Sequence, residues 1–295
     1  MQTKTGKDRR FIAWNGVSLH IPADWDARVS GQRHLVFEKD FDPQLQIRWE
    51  KSTRHSSRYL QERLTQFAGE MGTIIPGSDF PKALQKIKDS FNLITCYQGK
   101  SGRVEGGAFL CDDNLTLVLF QLLLSDPVAV DDAGACLSTL SCAGSSETLW
   151  CVQDFSLTLP DSFLLQDYTF AAGLTRISFY DAGLSLQTCK LGPADTRLGQ
   201  QSLAELLITL TGTSDLVTVT GEDGNACEGH RKPSILKQVV FRLRREKPFI
   251  RAKIWHDAES NRLLAIVLSS KRPISVTTIH DICSQYEIVQ KKNTA

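Results

Sequence analysis

The chain has 295 residues, about twice the roughly 150-residue norm for one domain, so two domains or one duplicated domain are expected. Lys and Arg number 34 against 33 Asp and Glu, with 23% charged and 41% hydrophobic residues. This balance excludes a wholly disordered chain, a fibrous protein and a uniformly basic nucleic-acid binder.

The first ten residues are polar and basic with no apolar stretch behind them, so no secretory signal is read there and a cytoplasmic location is expected. The longest nearly apolar run, residues 115–124, would span roughly 15 Å as a helix, about half a bilayer core. It predicts a buried central strand, and no membrane span is expected. Eight cysteines, with no Cys-x-x-Cys pair and no finger-like Cys–His spacing, predict mostly free, buried thiols and no structural zinc.

Taken in chain order, the pattern reads twice. Residues 17–25 and 155–163 both alternate apolar and polar residues, then place a proline at the strand exit (Pro22, Pro160) and an aromatic three residues later (Trp25, Phe163). His34, Leu35, Val36 and Phe37 are answered by Arg176, Ile177, Ser178 and Phe179, and strands at 45–49 and 184–189 follow. Leu60, Leu64, Phe67 and Met71 make one helical stripe; Leu203, Leu206, Leu207 and Leu210 make its counterpart, opened by capping-box residues Ser202 and Glu205. Residues 96–100 resemble 227–231 as strand entries, and 108–126 and 252–270 each read as a strand, a polar turn and a strongly apolar strand. Each half closes with a helix: Val130, Ala133, Leu137 and Leu140 on one face, then Val276, Ile279, Cys283 and Tyr286. The expected organisation is two similar units, 1–147 and 148–295, joined by the small polar linker 143–147. Each is predicted to run β-β-β-β-α, several strands, then a closing α. The class is α+β, a mostly antiparallel sheet with helices packed on it.

The repeated cue of apolar-x-apolar-x-Pro-x-x-aromatic, at Leu19 to Trp25 and Leu157 to Phe163, followed by strands, a mid-unit helix, long strands and a closing helix, resembles the PsbP-like superfamily. That group includes a Ran-binding import factor and relatives of bacterial type VI effector chaperones. The resemblance covers nearly the whole chain, taken twice. It implies an α/β/α sandwich in each unit and a non-catalytic binding role; it carries over no functional residue.

Chemical motifs are sparse. No phosphate-binding glycine loop and no Gly-x-Ser-x-Gly occurs; Gly99-Lys100-Ser101 lacks the upstream glycine of a phosphate loop and reads as a turn. His256-Asp257 and His280-Asp281 are adjacent pairs whose side chains diverge on a strand or helix. Asp112-Asp113-Asn114 reads as a hairpin turn, and Asp131-Asp132 suits a helix N-terminus; neither has the further oxygen ligands a hard cation takes. No catalytic constellation, metal site or cofactor is therefore expected. The polar anomaly is electrostatic: residues 231–253 hold nine basic side chains against one acid, a local net charge of +8. Alternation over Val240, Phe241, Arg242, Leu243 and Arg244 predicts a strand with a basic stripe on one sheet face.

The expected function is a non-catalytic cytoplasmic binding protein, an adaptor or chaperone holding a protein or peptide partner on sheet faces or the seam between units. Arg242, Arg244, Arg245, Lys247, Trp25 and Trp49 are the candidate partner-binding residues. One alternative is a nucleic-acid or nucleotide-associated factor using the basic stripe; another is an enzyme with an unfamiliar site at the seam. The oligomeric state stays open.

Overall fold

The protein's structure, a computed structural model, describes residues 8–51, 57–69, 74–76, 92–99, 104–111, 116–123, 127–142, 146–244 and 246–289. Two compact units divide them, the first through Ser156 and the second from Leu157.

In the first unit, β1 (Arg9–Trp14) and β2 (Val17–Pro22) form a hairpin. Asn15 and Gly16 make its turn, with φ of 45° and 87°; an Asn-Gly pair supplies the two left-handed positions that a tight hairpin needs. β10 (Ser141–Cys142) lies beside β2, and β11 (Glu147–Val152) pairs with β1. Trp14 and Trp150 meet edge to face there, ring centroids 5.1 Å apart. A second sheet has the order β3 (Asp26–Gly31), β4 (His34–Lys39), β5 (Asp42–Lys51), β9 (Thr116–Leu123), β8 (Val104–Cys111), β7 (Asn92–Gly99), β6 (Ile74–Pro76), antiparallel throughout. β9 is the fourth of the seven, and it is buried from Thr116 to Leu122, as its unbroken apolar run requires. α1 (Ser57–Gly69) sets Leu64 and Phe67 on Ala108, Leu117 and Leu119. α2 (Pro127–Leu137) buries Ala133, Cys136 and Leu137 and packs along β2 and β5.

The second unit pairs β12 (Phe155–Pro160, most of it in this unit) with β20 (Tyr286–Ile288). Its large sheet has the order β13 (Leu164–Ala171), β14 (Leu174–Asp181), β15 (Leu184–Leu191), β19 (Arg262–Ser270), β18 (Phe249–Asp257), β17 (Ala226–Arg231), β16 (Val217–Thr220). Counted from its own first strand, this order matches that of the first unit. The helices are α3 (Ala194–Leu198), α4 (Leu203–Thr211), α5 (Ile235–Leu243) and α6 (Val276–Ser284). The expected capping box is present: Glu205 N donates to Ser202 Oγ at 3.3 Å and Ser202 N to Glu205 Oε2 at 2.8 Å. α4 ends at Gly212, whose φ of 64° suits a residue without Cβ. Strand alternation then divides the layers. Ile250, Ala252 and Ile254 of β18 join the core under Leu203, Leu206 and Leu207 of α4. Lys253 and Trp255 point to the opposite face, toward His280 and Cys283 of α6 and Tyr286.

Among the described residues strands outweigh helices by more than two to one, and the class is a strand-rich, antiparallel α+β one. Several expectations are corrected. Five strands precede the first helix of each series, because 9–14 and 26–31, and their counterparts 147–152 and 164–171, also pair. Sheet register matches Cys96 with Glu228, one residue away from the match to Cys227: Cys96 lies opposite Gly107, and Glu228 lies opposite Lys253. Residues 235–243 are helical, so the strand and the basic sheet stripe expected at 240–244 do not form. Cys111 and Cys142 are joined in a disulfide, against the expectation of free thiols. The end of β8 and β10 bring their Cα atoms to 6.2 Å, within bridging range. Cys136, Cys151, Cys189, Cys227 and Cys283 are not in a disulfide. Met71, Lys100, Ser101, Asp112, Asp113, Asn114 and the linker 143–145 lie outside the described residues.

Candidate functional site

The segment with a net charge of +8 folds as the end of β17, α5 and the start of β18. Among the described residues, four of its cations are engaged within the unit. Arg231 is a clasp: it donates to the carbonyls of Lys247 (2.8 Å) and Pro248 (3.0 Å) and to Thr213 Oγ1 (3.0 Å), and its guanidinium lies 4.8 Å from the Phe241 ring. It also pairs with Asp215 at 3.5 Å. The hydrogen bond from Thr213, with help from Arg231, holds the Asp215 carboxyl below its ordinary range. Arg251 donates to the Ile274 carbonyl, and Lys253 pairs with Glu228. Lys247 bonds Ser185 Oγ and lies over the Tyr180 ring; burial, with Lys271 nearby, lowers its pKa.

The candidate residues therefore separate. Arg244 is exposed just past α5, Arg242 is on the helix, and Arg245 is outside the described residues. Trp25 is 1% exposed and Trp49 is 5% exposed, with its indole N–H donating to the Asn15 carbonyl; both are interior to the first unit.

What the helix presents instead is apolar. Ile235 is 81% exposed, Leu236 82%, Val240 48% and Leu243 80%. At about 100° per residue these positions share one arc about 140° wide. Phe241 lies on the other side of the helix, held by Arg231, as does Gln238, which donates to the Pro233 carbonyl at 3.0 Å. The amphipathic helix is thus seated with its apolar side outward. Lys232, Lys237 and Arg244, all exposed, border it. The signal was present in the sequence: apolar residues at 235, 236, 239, 240 and 243 have helical spacing, while the four-residue alternation at 241–244 fits either period.

A second polar cluster joins residues far apart in sequence. Lys253 Nζ and His280 Nε2 donate to Glu228 Oε1 at 3.0 and 3.1 Å. Burial pushes the Glu228 carboxyl up, but these two hydrogen bonds outweigh it and its pKa is lowered. His280 thus pairs with Glu228 and not with its neighbour Asp281. Cys283, one turn along α6, is pushed up to about 12 by burial, as is Cys136, so neither is a thiolate near neutral pH. Among the described residues, no three His, Cys, Asp or Glu side chains come together as a metal site, and no helix is long and apolar enough to cross a membrane.

No protein-family model and no curated protein matches this chain, so the PsbP-like resemblance finds no counterpart in those comparisons. Among solved structures, the chain is similar to the immunity protein TplEi of T6SS from Pseudomonas aeruginosa, complexed with "L" peptide. The identity is 11% and the TM-score 0.33, over 97% of this chain and 99% of that one. At that score the likeness transfers neither fold nor role.

Proposed function

We propose that this is a non-catalytic binding protein, an adaptor or chaperone, whose partner is a protein docking on the outward apolar face of α5. The observation that carries this reading is the exposure of Ile235, Leu236 and Leu243, each about four-fifths open to solvent on one helix. Scattered apolar residues are ordinary on a surface, but a contiguous apolar arc on a helix is the geometry by which amphipathic segments pair. The bordering Lys232, Lys237 and Arg244 favour a partner segment that is apolar on one side and acidic at its rim. The matching strand orders support reading the two units as copies of one ancestral unit, of which one has gained this helix face as its working surface. The nucleic-acid alternative is weakened, because Arg231, Lys247, Arg251 and Lys253 are engaged within the fold and no sheet stripe forms.

The test is affinity purification from native cells after nuclease treatment, comparing the wild type with the double variant Leu236→Glu/Leu243→Glu. A stoichiometric protein partner held by the wild type and lost by the variant is expected. Equal recovery of the same partner by both forms overturns the assignment to α5. Recovery only of nucleic acid, in untreated samples and dependent on Arg244, replaces it with the alternative.

A further inference from the structure

Among the described residues the two seven-stranded sheets have four edge strands, and three of them carry features that oppose pairing with another chain. β3 has a register shift between Val29 and Gly31 and carries Asp26 and Arg28. β13 has a register shift between Leu165 and Asp167 and carries that aspartate. β6 contains Pro76, which has no N–H to donate. Charges, bulges and prolines are the devices by which proteins block strand addition at an open edge. β16 has none of them: Val217-Thr218-Val219-Thr220 is uncharged, regular and β-branched throughout, with Val217 57% and Val219 64% exposed.

Its backbone is set for pairing. Gly221 N donates to the Ala226 carbonyl, so alternation along the antiparallel ladder makes Val219 and Val217 the residues bonded to β17. Thr218 and Thr220 then direct their N–H and C=O groups away from the sheet. We infer that this edge pairs with β16 of a second copy of the chain, antiparallel about a two-fold axis at Thr218.

That register is the one in which the strand complements itself. Thr218 lies opposite Thr218 of the second copy and exchanges both backbone hydrogen bonds with it. Val217 lies opposite Val219 on the same sheet face, giving two equivalent valine pairs, and Leu216 lies opposite Thr220. Every residue of the strand has a partner, and β-branched cross-strand pairs stabilise a sheet. The charges are compatible: Asp215 falls opposite Gly221, and Glu222 opposite Ser214, so no like charges meet across the ladder. A foreign peptide could supply the same backbone groups, but the self-matching Val-Thr-Val order and the isologous two-fold favour a second copy. The contact is short, so the dimer is weak and reversible, with a Kd of roughly tens of micromolar.

This surface is separate from α5, and the two readings fail separately. Sedimentation of the full chain from about 1 to about 200 µM is expected to show a reversible dimer, which Val219→Lys weakens by about tenfold or more. Val219→Ile, which keeps the β-branch, retains it. Because Val219 is exposed, the lysine variant should keep the wild-type melting temperature; Val217→Lys is the second probe if it does not. A wild type that stays monomeric over that range overturns the inference. So does a lysine variant that dimerises as the wild type does. Leu236→Glu/Leu243→Glu is expected to leave the dimer intact; its loss there, with Val219→Lys unaffected, assigns self-association to α5 and overturns the edge pairing.

Discussion

The two large sheets share one strand order, but the buried Gln46 and Gln121 of the first lie on the face opposite to the one that holds the buried Thr175, Thr188 and Lys190 of the second. Matching Phe37 with Phe179 sets Leu45 against Leu186 and Leu122 against Leu268. Under α1, the first unit then has Gln46, Gln121, Arg48 and Glu50 where the second, under α4, has Gln187, Val267, Cys189 and Leu191. On the other face, Ile47 and Trp49 of the first unit are answered by Thr188 and Lys190. Most of the polar set beneath α1 is partnered, although the buried Gln121 Nε2 has no hydrogen-bond partner among the described residues. Gln46 donates its amide to Gln121, Arg48 lies 5.2 Å from the Phe67 ring, and Glu50 accepts from Tyr59 and Arg63. Topology fixes which positions are covered, while a covered face is apolar or polar according to whether most of its polar atoms find partners.

The sharpest way to break this comparison is Leu207→Ala. Leu207 is fully buried in the apolar layer under α4, and its Cδ2 lies 3.0 Å from where a Cβ on Gly229 would sit, so that layer is tightly filled. A loss of about 2–5 kcal/mol is expected in denaturant unfolding, with hydrogen exchange showing it confined to the second unit. A loss well under 1 kcal/mol would mean that this face is not the close-packed one.

A smaller effect probes the polar side. Gln121→Val copies Val267 into the first unit and leaves the Gln46 amide without its acceptor, at a cost of about 1–3 kcal/mol. Gln46→Leu added to it removes the stranded donor and should recover most of that loss. Additive costs in a double-mutant cycle would show that the two glutamines are not coupled.

The last probe is a pH dependence, at Lys190. Burial, with Arg262 nearby, lowers this amine to about 8 from the ordinary 10.5. Between those values the unfolded chain binds more protons than the folded one, so this group's contribution to stability rises with pH across that window. The wild type minus Lys190→Met stability difference should therefore climb from about pH 8 to about pH 10 and be level below pH 7, measured by denaturant midpoints. A level difference throughout would show that Lys190 is not held in a low-dielectric site.

Much of the fold could be read from local pattern. The capping box at Ser202 and Glu205, the central strand at 116–123 and the paired strand series follow from spacings of two to four residues, which a chain segment carries wherever it sits. The candidate site was less legible. Alternation over four residues at 241–244 suggested a strand, while the nine-residue helical pattern of 235–243 determined the element.

Composition, periodicity and the ordered recurrence of segments thus determined that this is an α+β chain with two like series of elements, because those signals depend on short-range backbone geometry. Only the tertiary structure decided that Cys111 meets Cys142, that Glu228 binds both Lys253 and His280, that Trp25 and Trp49 are interior, and that α5 is seated with its apolar side outward. Each of these depends on which residues distant in sequence become neighbours, or on which side of a helix finds a partner. A one-dimensional pattern carries the amphipathic face of a helix but not the direction in which the fold turns it.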